Sequence, residues 1–140
     1  MGHLRHNASG HLTFGPNGHL VKCPACPTDC SACASGYAWS ISGAVSPLIP
    51  TSGTVSRVGA SDACLWNYVS DPFLDDGGTY YYEIVLRCTA EEWWLEINLY
   101  RDYGGGVVVP WGGWVFTRVA SSGCPVGAYN GPDGLTGSVT

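Results

Sequence analysis

The clearest pattern in the chain lies between positions 79 and 100, where apolar and polar side chains alternate with a period of two. Tyr80, Tyr82, Ile84, Leu86 and Cys88 fall on one side, and Tyr81, Glu83, Val85 and Arg87 on the other. After Thr89-Ala90-Glu91-Glu92 the alternation resumes, with Trp93, Leu95, Ile97 and Leu99 opposed to Trp94, Glu96, Asn98 and Tyr100. Successive side chains of a strand point to opposite faces, so this predicts two half-buried strands. A four-residue loop joining them as a hairpin sets Cys88 against Trp93. It also turns Tyr81, Glu83, Arg87, Trp94, Glu96, Asn98 and Tyr100 onto one outer surface.

Shorter runs at 36–43, 53–58, 63–69, 106–109, 113–119 and 134–139 read as further strands. Ser-Pro, Asp-Asp-Gly-Gly, Asp-Tyr-Gly-Gly-Gly and Asn-Gly-Pro-Asp-Gly segments separate them as turns. About eight short strands at this spacing predict an all-β body over residues 35–140, a jelly-roll-like two-sheet antiparallel sandwich. Composition agrees: 20 Gly, 9 Pro and aromatics as frequent as charged residues leave little material for amphipathic helices.

Ahead of the body, Gly2-His3-Leu4, Gly10-His11-Leu12 and Gly18-His19-Leu20 form an internal repeat with turn formers between the units. Short strands at 3–6, 11–14 and 19–22 predict a β-meander arm over residues 1–22, in which His6 faces His11 and Phe14 faces His19. So small a unit buries too little surface to offset its ordering entropy, and orders against something else. The recurring histidines are transition-metal ligand types, but a half-exposed turn exit accounts for them better.

Residues 23–34 form a cysteine-rich seam between arm and body. Cys23, Cys26, Cys30 and Cys33 make two Cys-x-x-Cys units only three residues apart. Two readings stand side by side. Four thiolates at tetrahedral positions suit a structural zinc ion, although the usual spacing between such pairs is longer. Alternatively the cluster forms disulfides, within itself or to Cys64, Cys88 or Cys124. Iron–sulfur ligation fits the spacing less well. Seven cysteines cannot all pair within one chain.

The net charge of −5 comes with no basic run, which argues against nucleic acid as a partner. No apolar run approaches the ~20 residues that span a bilayer, so no membrane segment is expected. Residues 1–22 lack the apolar core of a signal peptide. Asp71-Pro-Phe-Leu-Asp75-Asp76-Gly-Gly reads as a turn before it reads as a calcium loop.

The outer face built from Tyr81, Trp94, Glu96, Asn98 and Tyr100 is the candidate site. Rings beside carboxylates and amides serve either a subunit interface or a glycan, with rings stacking on sugar faces. Glu83 and Glu96 share that face, as a glycosidase pair would, but nothing further marks them as one. No nucleophile elbow, phosphate loop or His-Glu-x-x-His segment occurs, so no enzymatic activity is expected.

The layout of Gly-His-Leu units between turns, a Cys-x-x-Cys-rich knot and a β-rich body closing with Cys124-Pro-Val-Gly-Ala-Tyr129 resembles small β-rich proteins of tailed-phage virions and of planctomycete-type bacteria. The resemblance implies a virion surface or fibre component, or a jelly-roll adhesive module. The expectation is therefore a structural assembly component of a virion (decoration, tail or fibre), homo-oligomeric or bound to other virion subunits through its arm. The alternative is an extracellular or cell-surface carbohydrate-binding module that stacks a surface glycan on Tyr81, Trp94 and Tyr100.

Overall fold

The structure, a computed structural model, describes residues 4–6, 12–14, 26–75, 77–89, 91–119 and 123–140. The body holds β3 (Gly36–Ile41), β4 (Ser52–Arg57), β5 (Leu65–Val69), β6 (Phe73–Asp75), β7 (Gly78–Thr89), β8 (Glu92–Gly104), β9 (Val107–Val119), β10 (Gly127–Asn130) and β11 (Thr136–Val139). A single 3₁₀ turn, Pro132–Gly134, separates the last two. The arm contributes β1 (Leu4–His6) and β2 (Leu12–Phe14) as a separate two-stranded sheet.

The all-β expectation holds, but the body is a closed barrel and not a two-sheet sandwich. Each strand pairs antiparallel with its neighbour in sequence, except that β5 passes over the short β6 to pair with β7. The last strand then pairs with the first, Val139 opposite Trp39, and closes an eight-stranded ring. β6 is a ninth strand on the same edge of β7, beyond the end of β5. Inward–outward alternation is the same in a barrel and a sandwich, so the pattern alone does not separate them. The difference lies in one long-range ladder, and closure removes the open edges a sandwich keeps.

The inward sets are those expected. Ile84, Leu86, Trp93, Leu95 and Ile97 are fully buried, together with Trp66 of β5, Phe116 of β9 and Val139 of β11. Trp66 meets Tyr37 and Trp93 edge-to-face at 5.3 and 6.0 Å, a geometry the ring quadrupoles favour. Cys88 pairs with Trp93 as the alternation requires, and the ladder continues one step further to Thr89 and Glu92. Glu91 takes a positive φ of 72° in this tighter turn.

Two predicted strands, 106–109 and 113–119, are one. β9 runs unbroken past Pro110 and Gly112-Gly113 because these sit at a bulge: Leu99 opposes Gly112 and Tyr100 opposes Pro110, leaving Trp111 as the extra residue. Proline and glycine are tolerated at a bulge, where the ladder is already interrupted. β6 and β10 were not anticipated. In the arm, β1 and β2 pair as a hairpin, but Leu4 opposes Phe14 and His6 opposes Leu12, one residue off the expected register. The third arm strand, His3, His11, His19 and Cys23 lie outside the described residues.

The zinc reading is corrected at the seam. Cys26 is bonded to Cys88, Cys30 to Cys64 and Cys33 to Cys124. Three of the four proposed ligand sulfurs are thereby spent, and their partners come from the ends of β7, β5 and the β9–β10 connection. The seam lies across one end of the barrel as a plug, with Cys30 buried. Its carbonyls are held by the Arg57 guanidinium, which donates to Cys30 at 2.6 Å and Cys33 at 3.0 Å while stacking on Trp66. Trp66 Nε1 donates to the Ala34 carbonyl at 3.0 Å. Three disulfides mark a chain that folds in an oxidising, extracellular or secreted setting. Among the described residues no helix is long and apolar enough to cross a membrane.

Candidate functional site

The outer face forms as the alternation predicts. Tyr81 opposes Tyr100, Glu83 opposes Asn98, Val85 opposes Glu96 and Arg87 opposes Trp94, so all five candidate residues share one side of the β7–β8 ladder. Their chemistry, however, is largely turned on itself. The Tyr81 and Tyr100 rings stack on each other at 5.0 Å and 17°. Arg87 Nε holds Glu96 at 2.5 Å, and Trp94 Nε1 donates to the Glu92 carboxylate at 3.2 Å. Burial first, and then the charge of Glu83, push the Tyr100 phenol above its ordinary range. Two shallow depressions of about 340 and 280 Å³ meet at Asn98, one toward Trp111 and one toward Leu65. Glu83 and Glu96 share the face, but Glu96 is committed to Arg87.

A different concavity lies at the end of the barrel opposite the disulfide plug. The register places Tyr80, Leu99 and Arg101 at the far end of the β7–β8 ladder, where the hairpin tip of β8 and β9 runs on past the ring. Here the inward alternation of β8 passes from Leu99 to Arg101. The cleft, about 520 Å³, is lined on this side by Tyr80, Leu99, Arg101, Trp111 and Trp114. The β3–β4 connection closes the other side with Val45, Pro47 and Leu48 beside Ser46, and β6 contributes Asp75. Leu48 N–H donates to Ser46 Oγ at 3.2 Å and Ile49 N–H to the Ser46 carbonyl at 3.3 Å, folding that connection back over the mouth.

Arg101 is the centre of this site. Its guanidinium carbon lies 4.8 Å from the Tyr103 ring, 5.0 Å from Trp111 and 5.6 Å from Tyr80. Trp111 meets Tyr80 edge-on at 6.2 Å and remains 50% exposed. Two glycines make the room. A Cβ at Gly78 would stand 3.0 Å from Arg101 Nε, and one at Gly112 would stand 2.6 Å from the Trp114 ring. Arg57 and Arg87 are each tied to carbonyls or a carboxylate. Among the described residues Arg101 has no carboxylate within ion-pair distance and no hydrogen bond.

Sequence reasoning passed over this cleft. The alternation places Tyr80 and Leu99 with the inward set, and Trp111 and Gly112 fall between the expected strands 106–109 and 113–119. One signal was present: carried one step past Tyr100, the alternation puts a charged residue, Arg101, on the inward side. An inward charge at a strand end is a barrel-mouth feature, whereas in a sandwich it reads only as the end of the strand.

Among the described residues no three His, Cys, Asp or Glu side chains come together as a group able to hold a metal ion. The segment read as a turn, 71–76, holds the strand β6 over Phe73–Asp75, which that reading missed. Comparison of the chain with family models, with curated proteins and with solved structures returned no match.

Proposed function

We propose that this chain is a secreted or surface carbohydrate-binding barrel that takes its ligand in the mouth cleft, not on the outer sheet face. The observation that carries this reading is the half-exposed Trp111 ring beside Trp114 and Tyr80, with Ser46, Asp75 and Arg101 in the same open cleft. A sugar ring offers an apolar C–H face and a rim of hydroxyls; indole faces stack on the first, and hydroxyl, carboxylate and guanidinium groups bond the second. A cleft of this size in a barrel mouth is an ordinary place for a small ligand. The outer face suits the role less well, because its rings and charges already satisfy one another.

A glycan array read with wild type, Trp111→Ala, Trp94→Ala and Tyr100→Ala tests the reading, since Trp111 borders both the mouth cleft and the outer depression that Tyr100 lines. Binding that falls about 10- to 100-fold in Trp111→Ala and holds in Trp94→Ala and Tyr100→Ala is the expected result, from the roughly 1–3 kcal/mol of a lost stacking partner. A silent array, or binding indifferent to Trp111, would remove the proposal.

A second reading, structural assembly, is favoured by the projecting β8–β9 hairpin. Tyr103, Val107, Val108 and Val109 are all exposed on it, and Leu74 of β6 is 83% exposed. Apolar side chains gathered at one end of a molecule mark an association surface. In this reading the chain is a virion decoration, tail or fibre component, as its layout implies, with the arm adding a strand to a neighbouring subunit. Sedimentation of wild type, Val108→Asp and a chain lacking residues 1–22 tests it: both changes should dissolve the assembly, and a wild-type monomer at all concentrations would exclude self-assembly.

A further inference from the structure

We infer that the cleft selects a saccharide bearing a carboxylate, and that Arg101 reads that carboxylate. The inference rests on the glycan reading of the cleft and adds the charge of the ligand to it.

The argument starts from what holds Arg101. Aromatic faces attract the guanidinium through its charge and leave its N–H edges free, because a ring face accepts hydrogen bonds poorly. Tyr80, Tyr103 and Trp111 all contact it in this way, so the side chain is positioned without being neutralised. Gly78 has no Cβ to crowd Arg101 Nε or the Tyr80 ring, which lets the arginine lie flat in the cleft. A planar fork of donors, held by rings and with no acceptor bonded to it among the described residues, matches the two oxygens of a carboxylate. The neighbouring Trp111 ring is half exposed and offers a stacking face for the sugar that carries the carboxylate. Asp75 of β6, paired with Gly78, also lines the cleft, where it would accept from sugar hydroxyls and repel a second negative charge. The chain's net charge of −5 disfavours polyanions generally. The acid is therefore recognised locally, one carboxylate at a time, and not by a basic surface.

The test compares acidic oligosaccharides with their own methyl esters, which keep the ring and remove only the charge. Galacturonate, glucuronate-containing and sialylated oligosaccharides are each titrated calorimetrically beside the ester, using the full chain with its disulfides intact. At least one acid should bind about 10-fold or more tighter than its ester. That preference should shrink as salt is raised and vanish in Arg101→Met, whose unfolding midpoint is checked against wild type. The ester comparison uses wild-type protein, so it decides the matter even where the variant fails to fold. If acids and esters bind alike through a Trp111-dependent site, or if neutral glycans alone bind, the charge inference is overturned and the glycan reading survives. If the acid preference persists in folded Arg101→Met, Arg101 is not the reader. If neither acidic nor neutral glycans bind, both readings fall together.

Discussion

The Cys33–Cys124 bridge ties the plug to the β9–β10 connection, and its removal gives the sharpest test of how the barrel is held shut. Loop closure over a separation of 91 residues alone predicts a loss of ~4.6 kcal/mol. The other two bridges remain, however, and a detour through Cys30 and the Cys26–Cys88 bridge joins the same two points by roughly 43 residues of chain. On that shorter loop the expected loss is ~4 kcal/mol. Both half-cystines also pack against the core, so the lost sulfur contacts add to this figure. The variant is Cys33→Ala with Cys124→Ala, because leaving one thiol would invite exchange with the remaining bridges. Guanidinium unfolding followed by tryptophan fluorescence, without reductant, gives the stability and its denaturant slope. The slope should rise as the unfolded chain expands. A loss below ~1.5 kcal/mol with an unchanged slope would refute the loop-closure reasoning and mean that the barrel ladders alone hold the plug end.

Three further outcomes are expected. Arg57→Met should cost about 2–4 kcal/mol, since it strips the Cys30 and Cys33 carbonyls of a charged donor, and Arg57→Lys should restore little because an ammonium cannot span both; thermal unfolding at fixed pH measures this. Gly131→Ala should cost about 1–3 kcal/mol, although its φ of −115° suits any residue, because the new methyl meets the buried Phe116 ring; adding Phe116→Leu should recover part of the loss in a double-mutant cycle. Tyr129 is buried and donates to the Pro125 carbonyl at 2.6 Å, and burial raises its pKa well above the ordinary 10.0. The folded state therefore keeps a proton that the unfolded chain loses, so its contribution is complete below pH 10 and falls as pH rises beyond that; Tyr129→Phe should flatten the alkaline slope of the unfolding midpoint, and an unchanged slope would count against this assignment.

The disulfides show where sequence reasoning stopped. Local spacing left zinc and disulfides equally open for Cys26, Cys30 and Cys33, because spacing describes only neighbours. Their partners Cys88, Cys64 and Cys124 are 62, 34 and 91 residues away, and come within bonding distance only once the strands that carry them meet at one barrel end. The outer face was legible down to individual residues, since it depends on alternation within one hairpin. That its rings and charges satisfy each other was not legible, because it depends on side-chain directions across the ladder.

By itself the sequence determined the strand periodicity, the inward and outward sets of β7 and β8, and the register that sets Cys88 against Trp93. These are local, since a period-two pattern and a short turn specify a hairpin without reference to the rest of the chain. The tertiary structure alone decided that the body closes as a barrel, which cysteines pair, and that Arg101, Trp111 and Tyr80 converge at the open end. Each of these depends on pairing across long separations, above all β11 with β3, and no local pattern encodes the closure that brings such residues together.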